Sequence, residues 1–145
     1  MEEFILDQSV GYTLNIVANL LKRELNDELQ RAGIDILAEQ WALLYRLHER
    51  GSMNQQELAA SLSRDNGSVT RTVLVLEGKQ LLERRQVDQD RRHRYLYLTP
   101  AGQQLVPRLI ACAQRGLQRA TQDLTPQEVA QLNHLIQKMT RNLSH

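Results

Sequence analysis

Residues 51–102 constrain this chain more than any other stretch. Two short helical patterns, Asn54–Leu62 and Asp65–Lys79, precede two strand-like runs, Leu82–Val87 and Arg94–Leu98. Between the strands lies Asp88-Gln89-Asp90-Arg91-Arg92-His93, and the stretch closes on Leu98-Thr99-Pro100-Ala101-Gly102. A helix, a short turn, a second helix and a hairpin with an arginine-rich tip put one helix and one basic loop on the same side of a small domain. Adjacent grooves of a duplex accept such a pair.

The local signals agree with this layout, which is that of a winged helix-turn-helix. Asn54-Gln55-Gln56-Glu57 is a capping-box pattern, in which the Asn side chain takes an N-terminal amide while Glu57 reaches back. Leu58, Ala59 and Leu62 then bury that helix. Asp65 is the expected N-cap of the next one. With Val69 at the centre of its buried face, Val73 and Leu76 fall beside it at ~100° per residue. The opposite stripe is Gly67, Arg71, Leu74 and Gly78, flanked by Ser68 and Thr70. Small residues around one long cation suit a helix lying in a major groove ~12 Å wide. An amphipathic helix with a thin polar side shows the same pattern. Tyr95, Leu96, Tyr97 and Leu98 alternate with the period of a strand. The segment between the strands has no Gly or Pro, so the spacing predicts a longer finger rather than a two-residue turn.

Helices are expected on both sides. The first covers Asp7 to Arg31, with Leu14, Val17, Ala18, Leu21, Leu25 and Leu29 at three- and four-residue steps and Gly33 as a stop. The second runs from about Leu37 to Arg50 and ends at Gly51. Thr99-Pro100 opens a helix reaching Ala120, with Pro107 inside it. Thr125-Pro126-Gln127-Glu128 repeats the start signal, and Val129, Leu132, Leu135, Ile136 and Met139 form a last apolar face. These end helices are more apolar than the cover of a lone head of ~60 residues requires; arms of this kind bury themselves against a second copy. Two copies also supply two readers at the ~34 Å spacing of half-sites.

Charge adds a weaker signal. The net charge is only +1, but it is unevenly spread. Residues 1–35 hold three basic side chains against seven acidic ones, whereas residues 61–100 hold eight against five, seven of the eight being Arg. Arginine forks match phosphate and guanine edges. A plain solvated surface accounts equally well for an asymmetry of this size. No apolar run approaches the ~18 residues of a membrane span, and the single cysteine, Cys112, allows no internal disulfide. A reducing, cytoplasmic setting follows as the expectation.

Catalytic and metal signatures are lacking. His48, His93, His134 and His145 show no metal-helix spacing, and no second cysteine joins Cys112. Cys112 reads as an inert helix residue with no basic cluster beside it. No Ser-His-Asp, paired-carboxylate or phosphate-loop pattern is present, so the chain reads as a non-enzyme without cofactor or metal.

Several stretches, in this order and in a chain of this size, resemble the MarR family, the multiple-antibiotic-resistance type of bacterial regulator. They are Glu39-Gln40-Trp41-Ala42-Leu43-Leu44, Asn54-Gln55-Gln56-Glu57-Leu58-Ala59, Ser68-Val69-Thr70-Arg71, Leu76-Glu77, Leu81-Leu82-Glu83-Arg84, and Asp90-Arg91-Arg92 leading to Leu98-Thr99-Pro100-Ala101-Gly102. The likeness runs from about Leu14 to Leu143. It implies a mainly α fold with a small β-hairpin wing. The winged helix-turn-helix would occupy residues 36–99, flanked by N- and C-terminal dimerisation helices at 1–35 and 100–145.

The resemblance also implies a homodimeric regulator, a repressor, bound to a pseudo-palindromic operator in double-stranded DNA. Helix 65–79 would enter the major groove and the wing, 84–98, the flanking minor groove. Arg71 would be the reader contact, with Asn66, Ser68 and Thr70 as neighbours. Arg92 would be the wing-tip arginine, beside Arg91 and Arg94. Asp90 would orient the wing by pairing with an arginine, since a bare carboxylate repels phosphate. Relatives are often released from DNA by a small aromatic effector held between arms and head. Tyr12, Trp41 and Tyr45 would line that pocket, although aromatics at helical spacing are also ordinary core. The rival readings are a winged-helix protein–protein module and a redox sensor acting through Cys112.

Three departures stand out. Gln80 occupies a place where many relatives have a left-handed glycine, and Gly78 comes two residues early, leaving the end of the reader helix open. Gly67 replaces a common Ser or Pro. The second helix lacks a Thr-Pro start, with Asp35 expected to cap it instead.

Overall fold

The computed structural model describes residues 2–86 and 94–144. A 3₁₀ turn at Leu6–Gln8 precedes α1 (Val10–Arg31), followed by α2 (Ala38–Arg50), β1 (Met53–Asn54), α3 (Gln55–Ser61), α4 (Asn66–Gly78), β2 (Leu82–Gln86), β3 (Arg94–Leu98), α5 (Pro100–Ala120) and α6 (Pro126–Leu143). The strands form one antiparallel sheet in the order β1-β3-β2. Leu82 lies opposite Leu98 and Arg84 opposite Leu96, while Met53 pairs with Leu96 from the other side. The mainly α, winged helix-turn-helix architecture is thus the observed one. Val87 and the whole expected finger, with Asp90, Arg91, Arg92 and His93, lie outside the described residues.

The core is one continuous cluster. Leu43, Leu44 and Leu47 of α2, Leu58 of α3, Val69, Val73 and Leu76 of α4, and Leu82, Leu96 and Leu98 of the sheet are all buried in it. Leu25 and Leu29 from the end of α1, and Val106, Leu109 and Cys112 from α5, join the same cluster. The head is therefore packed directly onto the inner ends of its flanking helices. Removing apolar surface from water at ~25 cal/mol per Å² is the main force holding these layers.

Caps define the elements. The Asn54 carboxamide accepts from Glu57 N–H at 2.8 Å, and Asp65 Oδ1 accepts from Ser68 N–H at 2.7 Å. Thr99 Oγ1 accepts from Gly102 N–H, and Thr125 Oγ1 from Glu128 N–H, both at 3.1 Å. Gly33 and Gly51 take positive φ, +71° and +86°, where an L side chain would crowd the backbone.

Two expectations need correction. The first helix starts at Val10, not Asp7, because the 3₁₀ turn at Leu6–Gln8 is a separate element. Asp35 does not cap α2. Asn26, on α1, reaches across to accept from Ala38 N–H at 2.7 Å, and Gln40 accepts from Leu37 N–H at 2.9 Å. Asp35 pairs with Lys79 instead, 3.2 Å away. The stripes of the end helices, which the sequence reading assigns to contact with a second copy, are open within one chain. Val17 and Ala18 are exposed, and Leu132, Leu135, Ile136 and Met139 of α6 keep 36–48 % of their surface open.

The open question at the end of α4 resolves physically. Gly78 is an ordinary last helical residue, and Gln80 takes the left-handed position at φ +59°. Leu81 N–H then closes back on Leu76 C=O at 3.0 Å and Gln80 N–H on Glu77 C=O at 2.9 Å. These are the bonds of a Schellman stop, made here without glycine.

Candidate nucleic-acid interface

The outward face of α4 is built as its sequence pattern implies. Val69, Val73 and Leu76 are fully buried, while Gly67, Arg71, Leu74 and Gly78 are exposed along the opposite side. Arg71 makes no hydrogen bond or ion pair among the described residues. Its guanidinium lies over the first turn of the helix. A Cβ at position 67 would sit 3.6 Å from Arg71 Nη1 and 3.3 Å from Asp65 Oδ1.

The neighbours of Arg71 are less available. Thr70 Oγ1 donates to Asn66 C=O at 2.7 Å and accepts from Gln55 Nε2 at 2.6 Å, so its proton is already used. Ser68 Oγ accepts from Arg64 Nη2 at 2.7 Å and from Arg64 Nε at 3.1 Å. Asn66 is exposed at the start of the helix. The expected recognition residues are therefore all on one helix end; among the described residues Asn66 and Arg71 present wholly uncommitted side chains, and Ser68 keeps only its hydroxyl proton free.

The basic charge of the head is also partly spent. Arg84 Nε lies 3.0 Å from Glu77, Arg85 is paired with Glu83 and stacks 4.8 Å from the Tyr97 ring centroid, and Lys79 is paired with Asp35. Exposed ion pairs of this kind leave little net field. Arg94 stands exposed at the start of β3. Arg91, Arg92 and Asp90, which carried the expectation for the wing tip, lie outside the described residues.

The three aromatic candidates for an effector pocket are not gathered in one place. Trp41 and Tyr45 lie against each other, with ring centroids 5.5 Å apart. Trp41 lines a mostly apolar hollow of about 210 Å³ with Leu21, Leu25, Ala113, Gly116 and Leu117. Tyr12 is half-buried two turns before Leu21 on α1 and is not part of that lining.

Cys112 is buried and has the basic neighbour that the sequence reading missed. Its thiol donates to Glu28 C=O at 3.7 Å, and Arg115 Nη2 lies 3.3 Å from its sulfur. The i,i+3 spacing of Cys112 and Arg115 was the available signal. His48 Nδ1 lies 2.9 Å from Gln103 Oε1. Among the described residues no cluster of three His, Cys, Asp or Glu side chains is placed to hold a metal. No helix among them is long and apolar enough to cross a membrane.

Comparison with known proteins fits this geometry. The MarR family model matches residues 36–93, which cover the head up to the start of β3. Wild-type MarR from E. coli in its apo form is 30% identical in sequence, with a TM-score of 0.75, and the match covers 94% of this chain and 98% of that one. The chain belongs to the MarR family. A cysteine-to-serine mutant of MarR from E. coli, complexed with operator DNA, superposes with a TM-score of 0.83 at 28% identity, over 96% of this chain and 99% of that one. The HTH-type transcriptional regulator YwoH of Bacillus subtilis is 33% identical over 88 residues, which is 61% of this chain. The match spans 62% of the length of that curated relative. Within the MarR family frame, α2, α3 and α4 form the helix-turn-helix core and β2 and β3 the base of the wing.

Proposed function

We propose that this chain is a DNA-binding transcriptional regulator that works as a homodimer and represses by occupying a pseudo-palindromic operator. Residues 36–99 are its reading head, and residues 1–35 and 100–145 its dimerisation arms. The observation that carries this reading is the exposed Arg71 on the outer stripe of α4, uncommitted among the described residues, in a chain of the MarR family. On this reading α4 lies in the major groove, where Arg71 meets a base edge with Asn66 beside it and Ser68 and Thr70 frame the helix. The wing, with Arg91, Arg92 and Arg94, enters the flanking minor groove, and Asp90 holds it in place. The fold superposes better on the operator-bound mutant MarR, at 0.83, than on apo MarR, at 0.75.

The open apolar stripes support the dimer. Ile16, Val17 and Leu20 on α1 and Leu132, Leu135, Ile136 and Met139 on α6 are each more than a third exposed. A second copy covers such faces at no cost in buried polar groups. An effector of small aromatic character would act from the hollow beside Trp41, by binding better to one spacing of the arms than to the other.

Selection of bound fragments from random duplexes tests the function. A recovered palindrome with half-sites about 10 bp apart supports a dimeric reader. Affinity for that duplex then falls steeply with salt, by about 0.9 log units per log unit of salt for each neutralised phosphate. No selectable duplex at low salt, or a flat salt response, turns the reading toward a protein–protein module.

A further inference from the structure

Arg64 lies in the turn between α3 and α4 and is one of the basic residues that make the head look cationic. Its guanidinium is directed inward rather than toward solvent. Nη1 donates to Glu39 C=O at 3.0 Å, on the first turn of α2. Nη2 donates to Ser68 Oγ at 2.7 Å and to Thr72 Oγ1 at 2.8 Å, and Nε donates to Ser68 Oγ at 3.1 Å. A guanidinium has five N–H groups. Four are used here, so one remains, too few for the two-pronged grip by which arginine holds a phosphate.

Ser68 and Thr72 stand four residues apart, on one side of α4, and Arg64 holds both to the start of α2. Arg64 and Arg71 line the same polar hollow, together with Gln40 and Val75. The turn itself is strained toward this arrangement. Ser63 adopts a left-handed φ of +51°, and Arg64 N–H closes on Ala59 C=O at 3.0 Å. We propose that Arg64 is a positioning residue for sequence readout: it sets the roll of α4 about its own axis, and hence where the Arg71 fork points, without itself touching DNA. Side chains reach roughly 6 Å from a helix axis, so a roll of about 20° moves their tips by roughly 2 Å. That displacement exceeds what a hydrogen bond to a base edge tolerates. The inference rests on the DNA-binding reading above.

The test uses the full-length protein with Arg64→Ala, Arg64→Lys and Ser68→Ala, in two arms. The first needs no DNA. Amide hydrogen exchange in the free protein is expected to speed up in the first two turns of α4 in Arg64→Ala, with the β2–β3 amides unchanged. Unchanged exchange in α4 overturns the clamp, whatever becomes of the DNA-binding reading. The second arm compares a duplex selected by the wild-type protein with a scrambled duplex of equal length. Arg64→Ala is expected to lose about tenfold on the selected duplex, the scale of one misread base pair, and little on the scrambled one. Its salt dependence on the scrambled duplex matches wild type. Arg64→Lys does not restore selectivity, because a point charge lacks the fork. Ser68→Ala adds little once Arg64 is gone, since both belong to one unit. A salt slope shallower by about 0.9 per protomer, or full rescue by Lys, makes Arg64 a phosphate contact and overturns the proposal. Failure of the wild-type protein to select any duplex sinks the DNA-binding reading instead, and the exchange arm still decides the clamp.

Discussion

Glu28 on α1 and Arg115 on α5 meet at 3.0 Å, in a site where the Glu28 side chain is only 12 % exposed. Arg31 reaches the same carboxylate at 2.9 Å, and Arg115 touches the Cys112 sulfur. One turn away Arg119 pairs with Glu24, and Arg108 donates to Ala32 C=O at the other end. The two helices are thus laced together along their mutual contact. The inner ends of α1 and α5 also share the head's core.

Acid should loosen the lacing by protonating Glu28. The Arg115 hydrogen bond, followed by the charge of Arg31, holds its carboxyl below the ordinary value of 4.5, against the opposing effect of burial. A carboxylate with a lowered folded-state pKa stabilises the fold fully above 4.5, and that contribution fades as pH falls through the folded value. Melting temperature measured from pH 6 down to pH 3 should therefore fall less steeply in Glu28→Gln than in the wild-type protein, whose acid limb includes the loss of this pair. Parallel acid limbs would show that the pair is energetically silent.

Gly102 is fixed by contact rather than by turn geometry. A Cβ there would sit 2.2 Å from Leu81 C=O oxygen and 3.2 Å from its carbon. The same carbonyl accepts from Thr99 N–H at 3.1 Å, and Thr99 Oγ1 donates to Gln80 C=O at 2.7 Å. The Leu98-Thr99-Pro100-Ala101-Gly102 run thus pins the start of α5 to the chain just past α4. Gly102→Ala should cost about 3 kcal/mol by overpacking against backbone that cannot retreat. Denaturant melts measure this, and a midpoint within error of wild type would contradict the contact.

Much of the fold was legible because its signals are local. The Asn54, Asp65, Thr99 and Thr125 caps act over three residues, and the Val69-Val73-Leu76 stripe acts over two turns, so both can be read along the chain. The arrangements that escaped reading join distant residues. Asn26 capping Ala38, Arg64 gripping Glu39 C=O and Leu81 C=O resting on Gly102 leave no periodic trace. β1 is two residues long and exists only through its pairing with β3, too short for a strand pattern. At the candidate interface, the outward placement of Arg71 followed from helical phase. The engagement of Ser68 by Arg64 and of Thr70 by Gln55 did not, since their hydroxyls look equally free in the sequence.

Gln80 offers a stabilising change. An L residue in the left-handed region costs roughly 1–2 kcal/mol, part of which glycine returns as unfolded-chain entropy. Gln80→Gly should raise stability by about 0.5–1 kcal/mol, because the Leu81–Leu76 closing bond stays in place. Equilibrium denaturation with an unchanged slope and a higher midpoint is the expected result. A lower midpoint would mean that Gln80 gains more from its position than the backbone loses.

Arg71 is the decisive residue for the reading of function. It is exposed, on the stripe opposite the buried valines, and uncommitted to any described group, so its removal leaves the fold intact. Arg71→Ala should bind the selected duplex more weakly by roughly 1–3 kcal/mol, the worth of a bidentate base contact, and relax preference at one base position in each half-site. Arg92→Ala, by contrast, should weaken selected and scrambled duplexes together and make the salt dependence shallower, because a wing arginine acts chiefly through the charge of the minor groove. The two variants are separated by the ratio of selected to scrambled affinity rather than by either affinity alone. If Arg71→Ala lowers both affinities equally, Arg71 touches only phosphate. Base readout must then come from Asn66 or from the deformability of the site.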